Sequence, residues 1–382
     1  MTVIEDHSLK IGLALSGGGV RAAAFHLGVL ARLAADGHLS RVTFISTVSG
    51  GSMVVGLIYG LNNCGWPTDE QFRHTVLNEA RTILTHVDLQ WEYIGRLVRA
   101  PWRLFQGRAN VMSTIMQRQW GIRASLNELS PDPRWIINAT TYETGKNWRF
   151  TPQRMGDYVL GYVREPTIPL ADAVAASAAY PGGIGPLELA SKDFDFYAFE
   201  DLSNPQARPT PPSHPNLHLW DGGVYDNLGV EALFKPGTEN YRDGYNFLIV
   251  SDASAPFGAP KYWWWNRGMR LVGVAMEQVR SLRSRMIVEH LQRDSETGAY
   301  LRLGRSAEYI LTGAEFYNDS RASIVNGCLA EADVALAAAE GTHLHRLPPA
   351  VFDRLCRHGW EVADCTLAAY CPNSFRPRCW AG

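Results

Sequence analysis

The stretch that decides the fold is IGLALSGGGVR, residues 11–21. It opens with a short apolar run, Ile11–Ser16, which stops at three consecutive glycines, and this pattern is typical of a buried parallel strand. From Val20 onward, apolar residues recur at helical spacing until Gly37 supplies a stop. A strand, a glycine turn and a helix in this order predict one unit of an α/β fold.

A second copy of this plan follows. Val42–Val48 is strand-like, Ser49-Gly50-Gly51 forms the turn, and Ser52–Leu61 has the pattern of a helix. Two further core strands are predicted, at Trp135–Thr140 and Phe247–Asp252, and a short strand is predicted at Leu217–Trp220. Strands that alternate with helices predict a mainly parallel central sheet between two layers of helices.

The composition excludes several classes of protein. Of the 382 residues, 46% are apolar and 19% are charged, which provides ample material for a core and excludes intrinsic disorder. A formal net charge of −2 offers no basic surface, so we expect no nucleic-acid partner. The first ten residues, MTVIEDHSLK, contain no apolar run and predict no secretory signal. We therefore expect a cytoplasmic protein, for which peripheral contact with a membrane stays open.

One segment has the length of a membrane span. Val42–Thr68 contains no charged residue, and about 20 residues suffice to cross a bilayer. Its glycines, hydroxyl side chains and asparagines favour a buried strand, a tight turn and a buried helix instead. We expect no transmembrane segment here.

The first glycine turn, Gly17-Gly18-Gly19-Val20, places backbone N–H groups at the start of a helix. Glycine permits positive φ angles and the close approach of an anion, and the helix dipole adds partial positive charge. Such a turn can hold a phosphate or a transient oxyanion. The sequence lacks the Gly-Lys-Ser/Thr ending of a P-loop and the G-x-G-x-x-G spacing of a dinucleotide site. A purely structural turn is the alternative.

The second turn has the layout of a nucleophile elbow, in which a sharp strand-to-helix turn exposes one serine. Ser49 is that serine, and Gly50 and Gly51 permit a strained backbone. Thr47 departs from the usual leading glycine, and its β-branched side chain resists a positive φ. A serine in an ordinary loop is the alternative.

A serine hydroxyl needs a base within hydrogen-bond reach to act as a nucleophile. The candidate is Asp221, which follows a short strand and precedes two glycines. An Asp-Gly hairpin turn is the structural alternative. His214 and His218 leave a Ser-His-Asp arrangement open, although His214 lies in a proline-rich loop and His218 fits simple strand alternation.

Taken together, GGGVR after the first strand, SGGS after the second and DGG further along resemble the patatin-like phospholipase family. The segments ASAAYP at 176–181 and DGGVYDNLG at 221–229 strengthen this resemblance, which covers about residues 9–330. It implies a three-layer α/β fold and a Ser49–Asp221 dyad that hydrolyses acyl esters without a histidine, a metal or another cofactor. The oxyanion hole would be formed by the first turn, Gly17, Gly18, Gly19 and Val20.

The resemblance also implies the substrates, which would be phospholipids or lysophospholipids that release a free fatty acid. Arg21 would fix the first turn or bind a lipid phosphate, and a helix-surface arginine is the alternative. The segment Thr342-His343-Leu344 resembles one found in related bacterial proteins. A soluble carboxylesterase or thioesterase for small acyl groups stays open, as does a non-catalytic anion-binding protein of the same fold. The residues leave the oligomeric state undetermined.

The other segments carry weaker expectations. The block Tyr262–Trp265 predicts either a membrane-interface segment or a core-packed helix, with helical spacing from Val272 to Met286. Pro205–Pro215, with five prolines, predicts a lid-like surface loop. We expect a catalytic domain at residues 1–340 and a small extension at 341–382, where Pro348-Pro349 begins a helix. The six cysteines are expected to be reduced thiols, with a stapled tail as the alternative.

Overall fold

The computed structural model describes residues 9–380 except 100–106, 182, 211, 236, 238–239, 243, 257, 259–266, 295 and 318–320. The strands within these ranges are β1 (Ile11–Leu15), β2 (Val42–Thr47), β3 (Arg134–Thr141), β4 (Asn147–Phe150), β5 (Arg154–Asp157), β6 (Gly161–Arg164), β7 (Leu187–Ala190), β8 (Phe196–Tyr197), β9 (Asn216–Asp221), β10 (Phe234–Lys235), β11 (Asn240–Tyr241), β12 (Phe247–Asp252) and β13 (Gly298–Arg302).

Helices alternate with the central strands. They are α1 (Gly19–Ala35), α2 (Gly50–Leu61), α3 (Asp69–Gln71), α4 (Leu77–His86), α5 (Leu89–Arg99), α6 (Arg108–Gln119), α7 (Leu170–Ser177), α8 (Gly223–Asp226), α9 (Arg267–Arg293), α10 (Ala307–Gly313), α11 (Arg321–Gly327), α12 (Glu331–Ala339) and α13 (Pro349–Tyr370).

Parallel strands form the centre of the sheet, in the order β13, β12, β1, β2, β3. Beyond β3 the sheet continues through β4, β5, β6 and β8 in antiparallel pairs. The strands β7 and β9 form a branch in which β9 also pairs with β3. The carboxyl ends of β1, β2 and β12 lie at one edge, which is where open α/β sheets commonly place their sites.

The strand β3 explains how distant residues meet. The strand β2 runs parallel to β3 and ends with Thr47 opposite Ile137. The strand β9 runs antiparallel along the same side of β3 and ends with Asp221 opposite Ala139. The carboxyl ends of β2 and β9 therefore point at each other across Asn138. This pairing brings the turn after Thr47 beside Asp221.

The sheet separates two apolar clusters. On one face, Leu13 and Leu15 of β1 belong to the cluster that includes α1, α2 and α13. On the other face, Ala14 packs in a second cluster with Val250 of β12 and Ile287 of α9. This division follows from the alternation of side chains along a strand. The predicted three-layer α/β fold, with a mainly parallel sheet between helices, is confirmed.

The predicted core elements lie within two residues of their expected bounds. The second half of the sheet was not predicted, because the strands β4 to β8 are only two to four residues long. Such short strands show too few alternations to stand out from a loop.

The C-terminal helix α13 packs along α1. A Cβ atom at Gly28 would lie 1.8 Å from the carbonyl oxygen of Cys356, so the two helix backbones are in direct contact. The fully buried Arg32 donates from Nε to Asp364 Oδ1 at 2.6 Å. Leu355 of α13 lies in the same apolar cluster as α1. The segment expected to be a small extension thus shares one core with the rest, and residue 340 does not separate two packing units.

The loop Pro205–Pro215 does not cover Asp221. It enters β9 at Asn216, whereas Asp221 lies at the opposite end of this strand. Six residues of strand separate the two ends by about 17 Å. In its described residues, the loop is therefore not the lid over the site that the sequence suggested.

The remaining segments give mixed outcomes. The aromatic block Tyr262–Trp265 lies outside the described residues, whereas the helical spacing from Val272 to Met286 falls within α9 as predicted. No single helix in the described ranges is long and apolar enough to cross a membrane, although the bent pair α11 and α12 qualifies by length and composition alone. All six cysteines are free thiols.

Candidate active site

The turn after β2 has the strained backbone of a nucleophile elbow. Ser49 lies at φ 50° and ψ −115°, a region that residues other than glycine rarely adopt. Its N–H donates to Ser177 Oγ at 3.0 Å, which helps to hold the turn. A Cβ atom at Gly50 would lie 2.4 Å from the carbonyl oxygen of Gly19, so the two glycine turns touch. Strain of this kind costs about 1–3 kcal/mol and persists where the surroundings fix it.

Thr47 occupies the position where the elbow motif usually has glycine. It ends β2 and is not among the residues with positive φ, so its β-branched side chain meets no conflict there. Its Oγ1 accepts from Trp135 Nε1 at 2.9 Å and shares a hydrogen bond of 2.8 Å with Ser52 Oγ. Ser52 Oγ in turn contacts Ser177 Oγ at 2.8 Å. Thr47 thus begins a buried chain of hydrogen bonds that ends at Ser177 Oγ, which accepts the Ser49 N–H.

Asp221 ends β9 and is 3% exposed. Its Oδ1 accepts the N–H of Gly223 at 2.7 Å. Burial raises the pKa of Asp221 to about 7, while the Gly223 N–H and the Ser49 hydroxyl act in the opposite direction. The Ser49 hydroxyl interacts directly with the Asp221 carboxyl, and both residues line one cavity. The structure therefore brings the two predicted dyad residues together.

The two histidines considered as a base lie elsewhere. His218 hydrogen-bonds through Nδ1 to Glu143 Oε1 at 2.7 Å, and His214 accepts at its carbonyl oxygen from Ser191 Oγ. Neither lines the cavity that contains Ser49 and Asp221. The Ser-His-Asp alternative is therefore wrong for these two residues.

Only part of the first turn is free to bind an anion. The N–H of Gly17 donates to Asn227 O at 3.1 Å, and that of Val20 donates to His343 O at 3.1 Å. These two amides are already engaged, so the predicted oxyanion donors at Gly17 and Val20 need correction. Among the described residues, the amides of Gly18 and Gly19 have no acceptor.

A third free amide belongs to Gly50, which follows Ser49 directly and also has no acceptor in the described part of the chain. Sequence reasoning missed this residue, although the nucleophile elbow itself carried the signal, since such folds use the amide after the nucleophile. The free amides therefore come from both glycine turns.

Arg21 is fully buried, so the helix-surface alternative is wrong. Its Nη1 donates to Glu340 O at 2.7 Å, and its Nη2 donates to Ala253 O at 3.0 Å. Burial lowers the pKa of Arg21 to about 10, while Asp252 and Glu340 act in the opposite direction. The side chain thus ties the first turn to the end of β12 and to the C-terminal segment.

The C-terminal segment supplies residues that no core motif marked. His343 accepts the Val20 N–H at its carbonyl oxygen, and its Nε2 contacts Glu340 Oε1 at 2.9 Å. Thr342, His343 and Leu344 line the same cavity as Ser49. The only sequence signal for this placement was the weak resemblance of Thr342-His343-Leu344 to a segment of related proteins.

These groups open into one cavity of about 710 Å³. Its lining combines Ser49, Asp221 and the glycine turns with apolar side chains from several helices and loops, which include Tyr93, Ile94, Ile184, Met269, Met276 and Leu344. A reactive polar end and an apolar wall are typical of sites that bind an amphiphilic ligand. Within the described ranges, no group of three or more His, Cys, Asp or Glu side chains could hold a metal ion.

A parallel sheet whose carboxyl edge carries a strained serine after a strand defines the class of α/β proteins with a nucleophile elbow. The family model described as patatin-like phospholipase matches residues 13–234, which is more than half of the chain. The chain therefore belongs to the patatin-like phospholipase family, as its motifs predicted.

Solved structures share the fold. Human GIVD cytosolic phospholipase A2 aligns with a TM-score of 0.55 and 13% identity, over 97% of this chain and 62% of that one. The same human protein in complex with methyl gamma-linolenyl fluorophosphonate aligns with a TM-score of 0.53 and 15% identity, over 97% and 59%. The chain thus spans about three fifths of the length of these structures. No curated protein sequence matches it.

Proposed function

We propose that this protein is a serine acyl hydrolase that releases fatty acids from phospholipids or lysophospholipids. The observation that carries the proposal is the strained Ser49 beside the buried Asp221 at one end of a largely apolar cavity. Membership in the patatin-like phospholipase family supports the lipid substrate. Ser49 would act as the nucleophile and Asp221 as its base.

The chemistry follows from the positions of these groups. Asp221 takes the proton from Ser49 Oγ as this oxygen attacks the ester carbonyl, and a tetrahedral oxyanion forms. A carboxyl with a pKa near neutrality suits this role, since a substantial fraction is ionised at neutral pH and the carboxylate is more basic than an ordinary one. The amides of Gly18, Gly19 and Gly50, which have no acceptor among the described residues, would stabilise the oxyanion.

The second half of the reaction needs only water. Asp221 returns its proton to the leaving oxygen, and the acyl group stays on Ser49 as an ester. Asp221 then activates a water molecule, which attacks the acyl-enzyme and releases the fatty acid. Losing one oxyanion donor typically raises such a barrier by about 2.7–4 kcal/mol.

Ser49→Ala tests the nucleophile. A fluorophosphonate probe reacts with an activated serine, so it should label the wild-type protein and not this variant. The exposed Ser40 provides a matched control, and Ser40→Ala should be labelled as the wild type is. Equal labelling of wild type and Ser49→Ala would remove the assignment of the nucleophile.

Asp221→Asn tests the base separately. Asparagine keeps an oxygen for the Gly223 N–H and cannot accept the serine proton, so we expect hydrolysis to fall about 10²–10⁴-fold in a folded protein. Hydrolysis would be measured with phospholipid, lysophospholipid and short-chain ester substrates, and the products would be identified by mass spectrometry. Exclusive turnover of the short esters would favour the soluble esterase, and binding without turnover would favour the non-catalytic alternative.

A further inference from the structure

Two helices form part of the cavity wall and also expose apolar side chains to solvent. Gln90, Tyr93 and Ile94 of α5 line the cavity, as do several residues of α9. Soluble proteins normally cover large apolar side chains that lie close together, and an uncovered group beside a site commonly marks an interaction surface. The exposed side chains of α5 and α9 therefore need an explanation.

On α5 the exposed apolar residues form a single stripe. Trp91 is 64% exposed, Ile94 38% and Val98 74%, and their spacing of three and four residues places them on one helix face. Ile94 belongs both to this stripe and to the cavity lining. The stripe therefore runs along the border of the cavity.

On α9 the two faces differ in their surroundings. Met269, Gly273 and Met276 line the cavity from the inner face. The outer face exposes Leu271 by 70% and Leu282 by 61%, with Val274 between them at 37%. The helix α9 therefore lies between the cavity and the surroundings of the protein, and its outer face would suit apolar surroundings.

The charges on these helices are mainly positive, although the whole chain has a net charge of −2. The helix α9 contains six arginines and two glutamates, but Arg280 is buried against Asp252 and Glu277, and Arg283 pairs with Asp226 and Glu231. Arg267 and Arg285 are exposed, and their spacing of four and three residues from Leu271 and Leu282 places them on the outer face of α9. On α5, Arg96 pairs with Glu92 and Arg99 is exposed. Apolar side chains with arginines on a surface helix match the composition of helices that lie in the headgroup region of anionic bilayers.

We propose that the exposed faces of α5 and α9, carrying Trp91, Val98, Leu271 and Leu282, dock the protein onto a lipid bilayer that contains anionic headgroups. This inference rests on the proposed function, because the bilayer would both cover the apolar faces and supply the substrate. A bilayer on these faces would place acyl chains next to the helices that line the cavity. The exposed Arg99, Arg267 and Arg285 favour anionic over neutral lipid.

The test is vesicle co-sedimentation of the Ser49→Ala protein, which measures binding without hydrolysis. We expect binding to phosphatidylcholine vesicles that contain phosphatidylglycerol, and weaker binding to phosphatidylcholine alone. Adding Trp91→Ser and Leu271→Ser should weaken binding by about tenfold or more, because both side chains lose their apolar area. In the active protein the same pair should leave turnover of a water-soluble ester unchanged, since neither residue lines the cavity.

A matched control removes two exposed apolar side chains elsewhere. Tyr142 and Val159 are 73% and 56% exposed and do not line the cavity, so Tyr142→Ser with Val159→Ser should leave vesicle binding unchanged. The docking proposal is wrong if no vesicle binds the protein, or if both pairs of substitutions weaken binding equally. It is also wrong if Trp91→Ser with Leu271→Ser disrupts a dimer in light scattering and leaves vesicle binding intact. An absence of any ester hydrolysis would contradict the proposed function instead, since binding is measured independently.

Discussion

The two ends of the chain meet in one site but differ in how their sequences reveal it. The segment from β1 to α2 contains the glycine turns and Ser49, and its pattern predicts strand, turn and helix almost residue by residue. The segment after α12 carries no comparable core motif, and yet His343 O holds the Val20 amide while Glu340 O holds Arg21. Both segments shape the same turn.

This difference shows what a motif encodes. A glycine turn specifies local backbone geometry, which depends on neighbouring residues and is therefore visible in a short stretch. The contacts of Glu340 and His343 with the first turn join residues more than 300 positions apart. Such contacts depend on how α13 packs against α1. The C-terminal segment is thus structurally part of the site, although it lies beyond the residues that the family model matches.

The largest expected effect tests this dependence at Arg32. The side chain is buried and bonded to Asp364 of α13 and to the carbonyl oxygen of Arg376. Arg32→Met leaves the buried Asp364 carboxylate without its main partner, so we expect a loss of about 3–5 kcal/mol in the free energy of unfolding. Urea denaturation monitored by circular dichroism would measure it.

Arg81 offers a matched control, because it also joins the N-terminal part of the chain to α13. Its Nε and Nη2 donate to Asp353 at 2.7 and 2.8 Å, but both side chains are substantially exposed. Arg81→Met should therefore cost less than about 1 kcal/mol. Similar losses for Arg32→Met and Arg81→Met would mean that the buried link does not anchor α13.

The sequence predicted the elements that form the carboxyl edge of the sheet and the two residues that meet there. Asp221 could be proposed because its glycines follow a strand, but its contact with the Ser49 turn depends on β9 pairing with β3 beside the end of β2. Nothing in residues 216–221 specifies that partner. The partner of a strand depends on how all the strands of the sheet are arranged, which a stretch of six residues does not encode.

The errors at the first turn have a similar origin. From the sequence alone, the backbone amides of the four residues Gly17 to Val20 are equally able to bind an anion. They differ only in whether another part of the fold already accepts a hydrogen bond from them. Asn227 O and His343 O occupy two of these amides, and neither partner could be assigned from the turn itself. The free amide of Gly50 was within reach of sequence reasoning, because the elbow places it at a helix start.

A smaller effect is expected at Thr47, where the elbow departs from its family pattern. Thr47→Val keeps the shape and removes the hydroxyl, which leaves the buried Trp135 Nε1–H without its acceptor. We expect the free energy of unfolding to fall by about 1–3 kcal/mol, with a loss of activity because the support of Ser49 is disturbed. Thr47→Ser retains the hydroxyl and should recover most of both. Equal effects of the two substitutions would show that the methyl group matters rather than the hydrogen bonds.

The smallest expected effect is a difference in pH dependence between activity, which depends on Asp221, and stability, to which His358 of α13 contributes. The pKa of Asp221 is about 7, raised by burial, so kcat/KM should fall toward tenfold per pH unit below 7 as the base becomes protonated. A raised carboxyl pKa means that protonation of Asp221 stabilises the folded state, so its contribution to stability grows as pH falls through 7. In α13, burial lowers the pKa of His358 to about 4, and its contribution is lost only as pH falls from 6.5 toward 4. Between pH 8 and about 6.5 activity should therefore decline while the melting temperature does not. A melting temperature that falls in parallel with kcat/KM would attribute the loss to unfolding rather than to Asp221.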